Sequence, residues 1–273
     1  MVSPFTLPPT GFGPGSQPDP EGELQYLPMP SGMRIYEPHV PERADPAAMA
    51  LLAEMAAACD LAAQGAPGAV FDLAGLSAGA RHALADALGQ GEVSMRLRGV
   101  PAVKVQESVF AGVWLLQGAG VDQAEVGAVP RLAISRAHLP HSPAIGPLAR
   151  RRDGVVNAPA LLAELMDKSR QWQPGSPAHV VNLSLLPHTP EDLDWLAEAL
   201  GEGATTILSR GYGNCRITAC AQPHVWRVQF YNSTDQLILD TFEVTAIPEV
   251  ALAAPEDLAD SAGRIRAVME AIR

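Results

Sequence analysis

The stretch LADALGQGEVSMRLRGVPAVKVQESVFAGVWLLQ at residues 84–117 occurs a second time, as LAEALGEGATTILSRGYGNCRITACAQPHVWRVQ at residues 196–229. The two stretches are identical at 11 of 34 positions, with a constant offset of 112 residues and no gap. The shared positions combine apolar residues with turn glycines, which is typical of a folding unit. The sequence therefore predicts two tandem copies of one structural unit.

Each copy contains a helix followed by short strands. Gly89 and Gly201 come directly after the last apolar helix positions, where glycine commonly ends a helix. The runs that follow are β-branched or alternate apolar and polar residues, which favours strands. Because such short connections join antiparallel neighbours, we predict an α+β fold. It is built from two β-α-β-β-β units with largely antiparallel sheets, and the helices pack on one face.

Three further helices are predicted outside the repeated stretches. Asp45 and Pro46 are typical of an N-cap followed by the first helical residue, and the apolar pattern after them continues to Gly65. A connector helix is predicted behind Asn157, and a C-terminal helix begins at Pro255. In the second copy, the helix is predicted to begin after a Thr189 cap, with acidic residues in its first turn.

The N-terminal segment differs in composition from the rest of the chain. Residues 1–45 contain ten prolines, and residues 1–60 contain eight acidic and two basic residues. Proline removes a backbone donor and favours extended conformations. We therefore predict three parts: an extended Pro-rich acidic arm (1–45), a first α+β unit with its leading helix and the start of a connector (46–150), and a second unit with the connector helix and the C-terminal helix (151–273).

The bulk composition bears on partners and location. The formal net charge of −11 argues against nucleic acid as a partner, because phosphate binding needs clustered basic residues. The N-terminus has neither a basic region nor an apolar core of a signal peptide, and no run approaches 18 apolar residues. We predict a cytoplasmic protein that does not insert into a membrane.

The sequence lacks the well-defined catalytic and metal-binding motifs. The sequence contains no HExxH, P-loop, GxSxG or CxxC pattern, so we predict no enzyme activity, no catalytic residues and no cofactor. Cys215 and Cys220 are five residues apart on a predicted strand, which places their side chains on opposite faces. No metal site is predicted, although a metal or cluster carrier using these thiols and a histidine stays open.

One turn offers polar side chains that its counterpart lacks. Residues 209–215, SRGYGNC, form a glycine-punctuated turn that presents Arg210, Tyr212 and Asn214, whereas the first copy keeps only the arginine. A plain β-hairpin with glycines at positive φ is the alternative interpretation. We predict these three residues as partner-binding. The other candidates are His188, which precedes the Thr189 cap, and the acidic residues of the first turn of the C-terminal helix, Glu256 and Asp257.

Five segments stand in order along the chain: GPGSQP at 13–18, LGQGEVS at 88–94, VNLSLLPHTPEDLDWLAEALG at 181–201, LSRGYGNCRIT at 208–218 and IPEVALAAPEDLADSAGRI at 247–265. Together they resemble the HupH/HyaF family of NiFe hydrogenase accessory proteins. The resemblance extends over nearly the whole chain, and the C-terminal segment is its most specific part.

The resemblance implies an assembly chaperone encoded with an uptake hydrogenase. Such a protein would bind the iron–sulfur small subunit precursor before twin-arginine export, and other hydrogenase accessory proteins are further possible partners. The family brings no established catalytic or metal residues to carry over. A metal or iron–sulfur cluster carrier in hydrogenase assembly is the alternative, and a small-molecule enzyme without a recognisable motif ranks third.

Overall fold

The computed structural model describes residues 45–210 and 214–272, and the backbone of two short paired strands, β1 (Ser16–Pro18) and β2 (Leu24–Tyr26). The chain divides into two compact units, residues 1–35 and residues 36–273. Most of the predicted Pro-rich arm, residues 1–45, lies outside the described residues.

The larger unit is built from ten strands and six α-helices in the described residues. The strands are β3 (Ala69–Asp72), β4 (Val93–Leu97), β5 (Val103–Glu107), β6 (Val113–Gly118), β7 (Val121–Val126), β8 (His179–Asn182), β9 (Thr205–Ser209), β10 (Asn214–Ala219), β11 (Val225–Tyr231) and β12 (Leu237–Val244). The helices are α1 (Pro46–Ala63), α2 (Ala78–Leu88), α3 (Arg131–Ser135), α4 (Ala158–Gln171), α5 (Pro190–Leu200) and α6 (Pro255–Ile272).

All ten strands form one antiparallel sheet in the order β3-β7-β6-β5-β4-β9-β10-β11-β12-β8. The predicted α+β class is confirmed. Each half has four strands after its helix, β4 to β7 after α2 and β9 to β12 after α5, one more than the predicted β-α-β-β-β unit. In the first half the extra strand is β7, which follows β6 through a tight turn where Gly120 has a φ of +71° and which carries the sheet on to β3. In the second half it is β12, which carries the sheet on to β8.

The pairing of β4 with β9 forms the centre of the sheet. Met95 lies opposite Ile207, and these two residues occupy the same position in the two repeated stretches. Val93 lies opposite Ser209, and Leu97, the residue equivalent to Ser209, lies opposite the residue equivalent to Val93. The strand order is also the same on both sides. A pseudo-two-fold axis therefore passes between Met95 and Ile207.

Five helices cover one face of the sheet, three on its first half and two on its second half. On the first half, α1, α2 and α6 pack on the sheet through side chains that include Leu52, Leu84, Val113 and Ile265. On the second half, α4 and α5 pack on β8, β11 and β12. The predicted packing of the long helices on one face is thus observed.

The opposite face of the central strands has a core of its own. Trp114 and Trp226, which are equivalent residues of β6 and β11, are fully buried in it. The short helix α3 and residues 247–251 cover this core. Because neighbouring residues of a strand point to opposite faces, Val113 packs under the helices while Trp114 packs here. The two tryptophans are therefore packing residues.

The helix ends follow the predicted signals. The Asp45 carboxylate accepts hydrogen bonds from the second and third residues of α1 at 2.9 and 3.2 Å. Gly89 and Gly201 end α2 and α5 with φ values of +53° and +62°, a region that glycine adopts without steric cost. At Gly201 a side chain is also excluded, because a β-carbon would lie 2.5 Å from a backbone oxygen.

One buried carboxylate caps two helices. Asp192 Oδ1 accepts hydrogen bonds from the backbone N–H groups of Val156, Asn157 and Ala158 at 2.7–3.0 Å, at the start of α4. Its Oδ2 accepts from Thr189 N at 3.1 Å, which completes a capping box on α5. Burial would raise the pKa of Asp192, but these donors outweigh it and hold the pKa below its ordinary value. Asn157 makes no side-chain capping bond of its own.

A second buried carboxyl group, that of Glu107, accepts fewer hydrogen bonds than that of Asp192. Glu107, at the end of β5, is 8% exposed, and its Oε1 accepts the Gly112 N–H at 3.2 Å. Burial raises the pKa of Glu107 to about 7, because the interior disfavours the charged form more than the few hydrogen bonds favour it. The equivalent residue of the second half is Ala219.

Helix α1 has the length and the apolar composition of a membrane-spanning helix, as the single such helix in the part of the chain described. The core helix of a globular protein has the same length and composition, so these properties alone do not indicate a membrane span. Here α1 buries six residues in the core that it shares with α2 and α6.

Replacing Asp192 by alanine leaves four backbone N–H groups without their acceptor. Since each unsatisfied buried donor costs about 1–3 kcal/mol, we expect the free energy of unfolding at pH 7 to fall by about 3–5 kcal/mol, measured by urea denaturation. Asp194→Ala changes an exposed carboxylate of the same helix. This control should lose less than about 0.5 kcal/mol. Equal losses in the two variants would contradict the capping role.

Glu107 is expected to make stability depend on pH. Its folded pKa of about 7 lies above the unfolded value of 4.5, so the stabilisation is complete below pH 4.5 and is lost as the pH rises through 7. Between pH 5 and pH 8, Glu107→Gln should gain about 2 kcal/mol in unfolding free energy relative to the wild type. The exposed Glu270→Gln serves as control. A constant difference between wild type and Glu107→Gln across this range would refute the assignment.

Candidate functional site

An open groove lies over the centre of the sheet, on the face that carries the long helices. Its floor is formed by β5, β4, β9 and β10. Its walls include Ala85 of α2, Gln90, which follows α2, and Glu202, which follows α5. The volume of the cavity is about 770 Å³. The groove exists because α2 and α5 pack toward the outer strands of the two halves, which leaves the strands beside the pseudo-two-fold axis accessible.

Two rows of side chains cross the floor of this central groove. Residues directly opposite each other in a sheet point to the same face, so the register gives the order of each row. The rows are Lys104, Arg96, Thr206 and Thr218, and, parallel to it, Gln106, Ser94, Leu208 and Arg216.

The central groove is basic, although the chain has a formal net charge of −11. Its lining includes Arg96, Arg98, Lys104 and Arg216, and Glu202 is the single carboxylate that lines it in the described residues. Arg98 forms an ion pair with Glu202. The sequence does not reveal this site, because its basic residues are spread over 121 positions and only the strand register brings them together.

The predicted turn connects β9 to β10, and a smaller cavity of about 430 Å³ lies at its base. Arg210 and Asn214 both line this hairpin cavity, so the structure brings together two of the predicted binding residues. Asn214 Nδ2 donates to Asp235 Oδ1 at 3.1 Å. The hairpin cavity shares Leu208 and Arg216 with the central groove, and the two therefore form adjoining parts of one surface.

Arg98 and Arg210 are equivalent residues in different surroundings. Arg98 pairs with Glu202, which follows the helix of the other half. The residue equivalent to Glu202 is Gln90, which is neutral, so Arg210 has no corresponding carboxylate. Arg210 is exposed. Because one copy has Glu202 and the other has Gln90 at the same position, the two equivalent arginines differ in their ion pairing.

The other predicted binding residues do not join this surface. His188 Nδ1 lies 2.9 Å from Leu186 O, just before α5. Glu256 and Asp257 are exposed in the first turn of α6. None of these three lines the central groove or the hairpin cavity. Tyr212 lies outside the described residues. A role in binding stays a prediction for all four.

The three cysteines are buried in three separate cores. Cys215 and Cys220 face opposite sides of the sheet, as their spacing predicts, and Cys59 lies in the core under α1. Burial raises the pKa of Cys59 and Cys220 to about 12 and that of Cys215 to about 11. The thiols are therefore protonated at neutral pH. In residues 45–210 and 214–272, no group of three His, Cys, Asp or Glu side chains converges as a metal site would require.

A histidine pair stabilises a strained turn in the second half. His138 Nδ1 lies 2.8 Å from Cys220 O, and its Nε2 lies 3.0 Å from the backbone nitrogen of His224. Because a backbone N–H only donates, Nε2 is the acceptor and Nδ1 carries the proton. His224 has a φ of +62° where the first half has Gly112, and its ring stacks on Trp172 at 3.8 Å. Burial lowers the pKa of both histidines, which favours the neutral form.

The chain matches one protein family over both halves of the sheet. The family model described as "HupH hydrogenase expression protein, C-terminal conserved region" matches residues 46–138 and 155–272. One solved structure, the hydrogenase expression protein HupH from Thiobacillus denitrificans, aligns with a TM-score of 0.41 and 28% identity. That alignment covers 44% of this chain and 99% of the other.

Curated relatives match over most or all of the chain. Hydrogenase expression/formation protein HupH of Rhodobacter capsulatus is 63% identical over 277 residues, covering 100% of both chains. Hydrogenase expression/formation protein HoxQ of Cupriavidus necator is 45% identical over 275 residues, covering 97% of each. Hydrogenase-1 operon protein HyaF of Escherichia coli is 34% identical over 206 residues, covering 73% of this chain and 72% of that protein. The chain therefore belongs to the HupH family of hydrogenase expression/formation proteins.

Proposed function

We propose that the protein is a non-catalytic chaperone of hydrogenase maturation that acts in the cytoplasm and binds the precursor of the iron–sulfur small subunit. Full-length relatives named as hydrogenase expression/formation proteins support the maturation role. The observation that carries the binding role is the central groove with its adjoining hairpin cavity, because together they form one open surface over four strands, which is wide enough for a single helix or an extended segment. Other hydrogenase accessory proteins are further proposed partners.

The distribution of titratable groups favours binding over catalysis. Active sites concentrate residues with displaced pKa values in a cleft. Here burial displaces the pKa values of Glu107, Cys59, Cys220 and His138, and none of these residues lines the central groove. Cys215, whose pKa burial also raises, lines the hairpin cavity but belongs to the core on the opposite face of the sheet. The side chains that do line the central groove are mainly guanidinium, ammonium, amide, hydroxyl and aliphatic groups, which suit recognition of another chain.

We assign the first contact with the precursor to Arg210 and Asn214 of this surface, together with Tyr212, which lies between them in the sequence. Arginine and tyrosine are the side chains that most often contribute the largest share of interface energy. The exposure of Arg210 and the neutral Gln90 at the position equivalent to Glu202 support this assignment. His188, Glu256 and Asp257 would contact the partner from other surfaces.

The full-length tagged protein, purified from cells that produce the hydrogenase, is expected to recover the small-subunit precursor. Arg210→Ala combined with Tyr212→Ala should reduce this recovery about tenfold, because two interface anchors are removed. Recovery is measured by quantitative mass spectrometry against a wild-type sample of equal amount.

Arg170→Ala provides the matched control, since Arg170 is an exposed arginine on α4 that lines neither cavity. Circular dichroism and thermal unfolding establish that each variant is folded. Recovery of the large subunit alone, or of neither subunit, would disprove the proposed partner. Unchanged recovery with the double variant would disprove only the hairpin assignment.

A further inference from the structure

We propose that the central groove binds an acidic polypeptide segment of a partner, with the carboxylates of that segment paired to Arg96, Lys104 and Arg216. The proposal rests on the proposed function only in taking the occupant to be a polypeptide. It adds the chemistry of the occupant, which neither the relatives nor the hairpin assignment specifies.

The strongest observation is a pair of like charges at the centre of the floor. Lys104 on β5 lies directly opposite Arg96 on β4, and both are exposed. Like charges directly opposite each other destabilise a sheet. In the described residues, Arg96, Lys104 and Arg216 have no carboxylate at ion-pair distance. A bound carboxylate would remove the repulsion.

This arrangement is unusual for a chain that has 30 acidic and 19 basic residues. With acids in excess, each basic side chain has a carboxylate available to it on average. Elsewhere in the described structure this is common: Arg81, Arg131, Arg227 and Arg266 each pair with an acid. The floor of the groove is thus a site of concentrated positive charge on a chain of net negative charge, which attracts an acidic chain selectively.

The dimensions of the floor fit one polypeptide segment. Four neighbouring strands, spaced about 4.8 Å apart, give a floor about 14 Å wide. This accommodates a single helix, about 10 Å in diameter, or an extended segment. Between the charges the lining also offers aliphatic contacts from Leu115 and Leu208, which suit a segment that carries apolar side chains between its acids.

Nucleic acid fits the same surface poorly. Proteins that bind single strands combine basic residues with aromatic side chains on which bases stack. In the described structure, the lining of the central groove contains no Phe, Tyr, Trp or His. The net charge of −11 also repels a long phosphate backbone beyond the groove.

The test measures binding of fluorescein-labelled dodecaglutamate to the full chain by fluorescence anisotropy. Saturable binding is expected for the wild type. The variant Arg96→Gln/Lys104→Gln/Arg216→Gln should bind about tenfold more weakly, because three ion pairs are lost. Its melting temperature should not fall, since the substitutions remove a repulsion. A purely structural role for these residues would instead lower the melting temperature.

The matched control is Arg150→Gln/Lys168→Gln/Arg170→Gln, which removes three positive charges outside the groove. Its affinity should stay within twofold of the wild type. Equal weakening in both triple variants would show unspecific charge attraction and overturn the proposal. Because the probe is a synthetic peptide, the outcome is independent of whether the hydrogenase precursor is recovered in the experiment above.

Three further results would also overturn the proposal. Tighter binding of dodecathymidylate than of dodecaglutamate would indicate a nucleic-acid site. Displacement of the peptide by millimolar inorganic phosphate would indicate a small-anion site. Tenfold tighter peptide binding after Asp19→Asn, Glu21→Gln and Glu23→Gln would assign the groove to the N-terminal segment of the chain itself.

Discussion

The pairing of β4 with β9 is the interaction on which the rest of the structure depends. It converts two five-stranded halves into one ten-stranded sheet and places Met95 and Ile207 at its centre. The helices of each half pack toward the outer strands, so this pairing also leaves four strands accessible on the helical face. The groove is therefore a direct result of how the halves join. A different pairing of the same two units would not form it.

Local signals in the sequence predict most of the individual elements. The Asp45 cap, the glycine stops at Gly89 and Gly201 and the Thr189 cap depend on residues close to each other in the chain, and all are observed. The opposite faces of Cys215 and Cys220 follow from the two-residue period of a strand. These features need no knowledge of the tertiary fold, which is why the sequence is sufficient for them.

Features that depend on distant residues are not predicted. Asp192 is recognisable as a first-turn acid of α5, but its role at the start of α4 requires the packing of two helices. The pairing of β4 with β9 joins residues 112 positions apart on average, and no turn signal indicates it. The basic groove combines Arg96, Lys104 and Arg216, which are unremarkable when read singly along the sequence. Only the register of three strand pairs shows that they share one surface.

Pairing of equivalent strands about a two-fold axis is the geometry of an isologous dimer. In this chain the two halves belong to one polypeptide, so the sequence of one half is able to change without the same change in the other. A symmetric groove presents the same side chains in both directions and cannot distinguish the amino end of a bound segment from its carboxyl end. Here the equivalent residues Lys104 and Arg216 carry the same charge, whereas the residue equivalent to Arg96 is the uncharged Leu208. The joined chain thereby acquires polarity: the side chains that line its groove differ between the two directions along the floor.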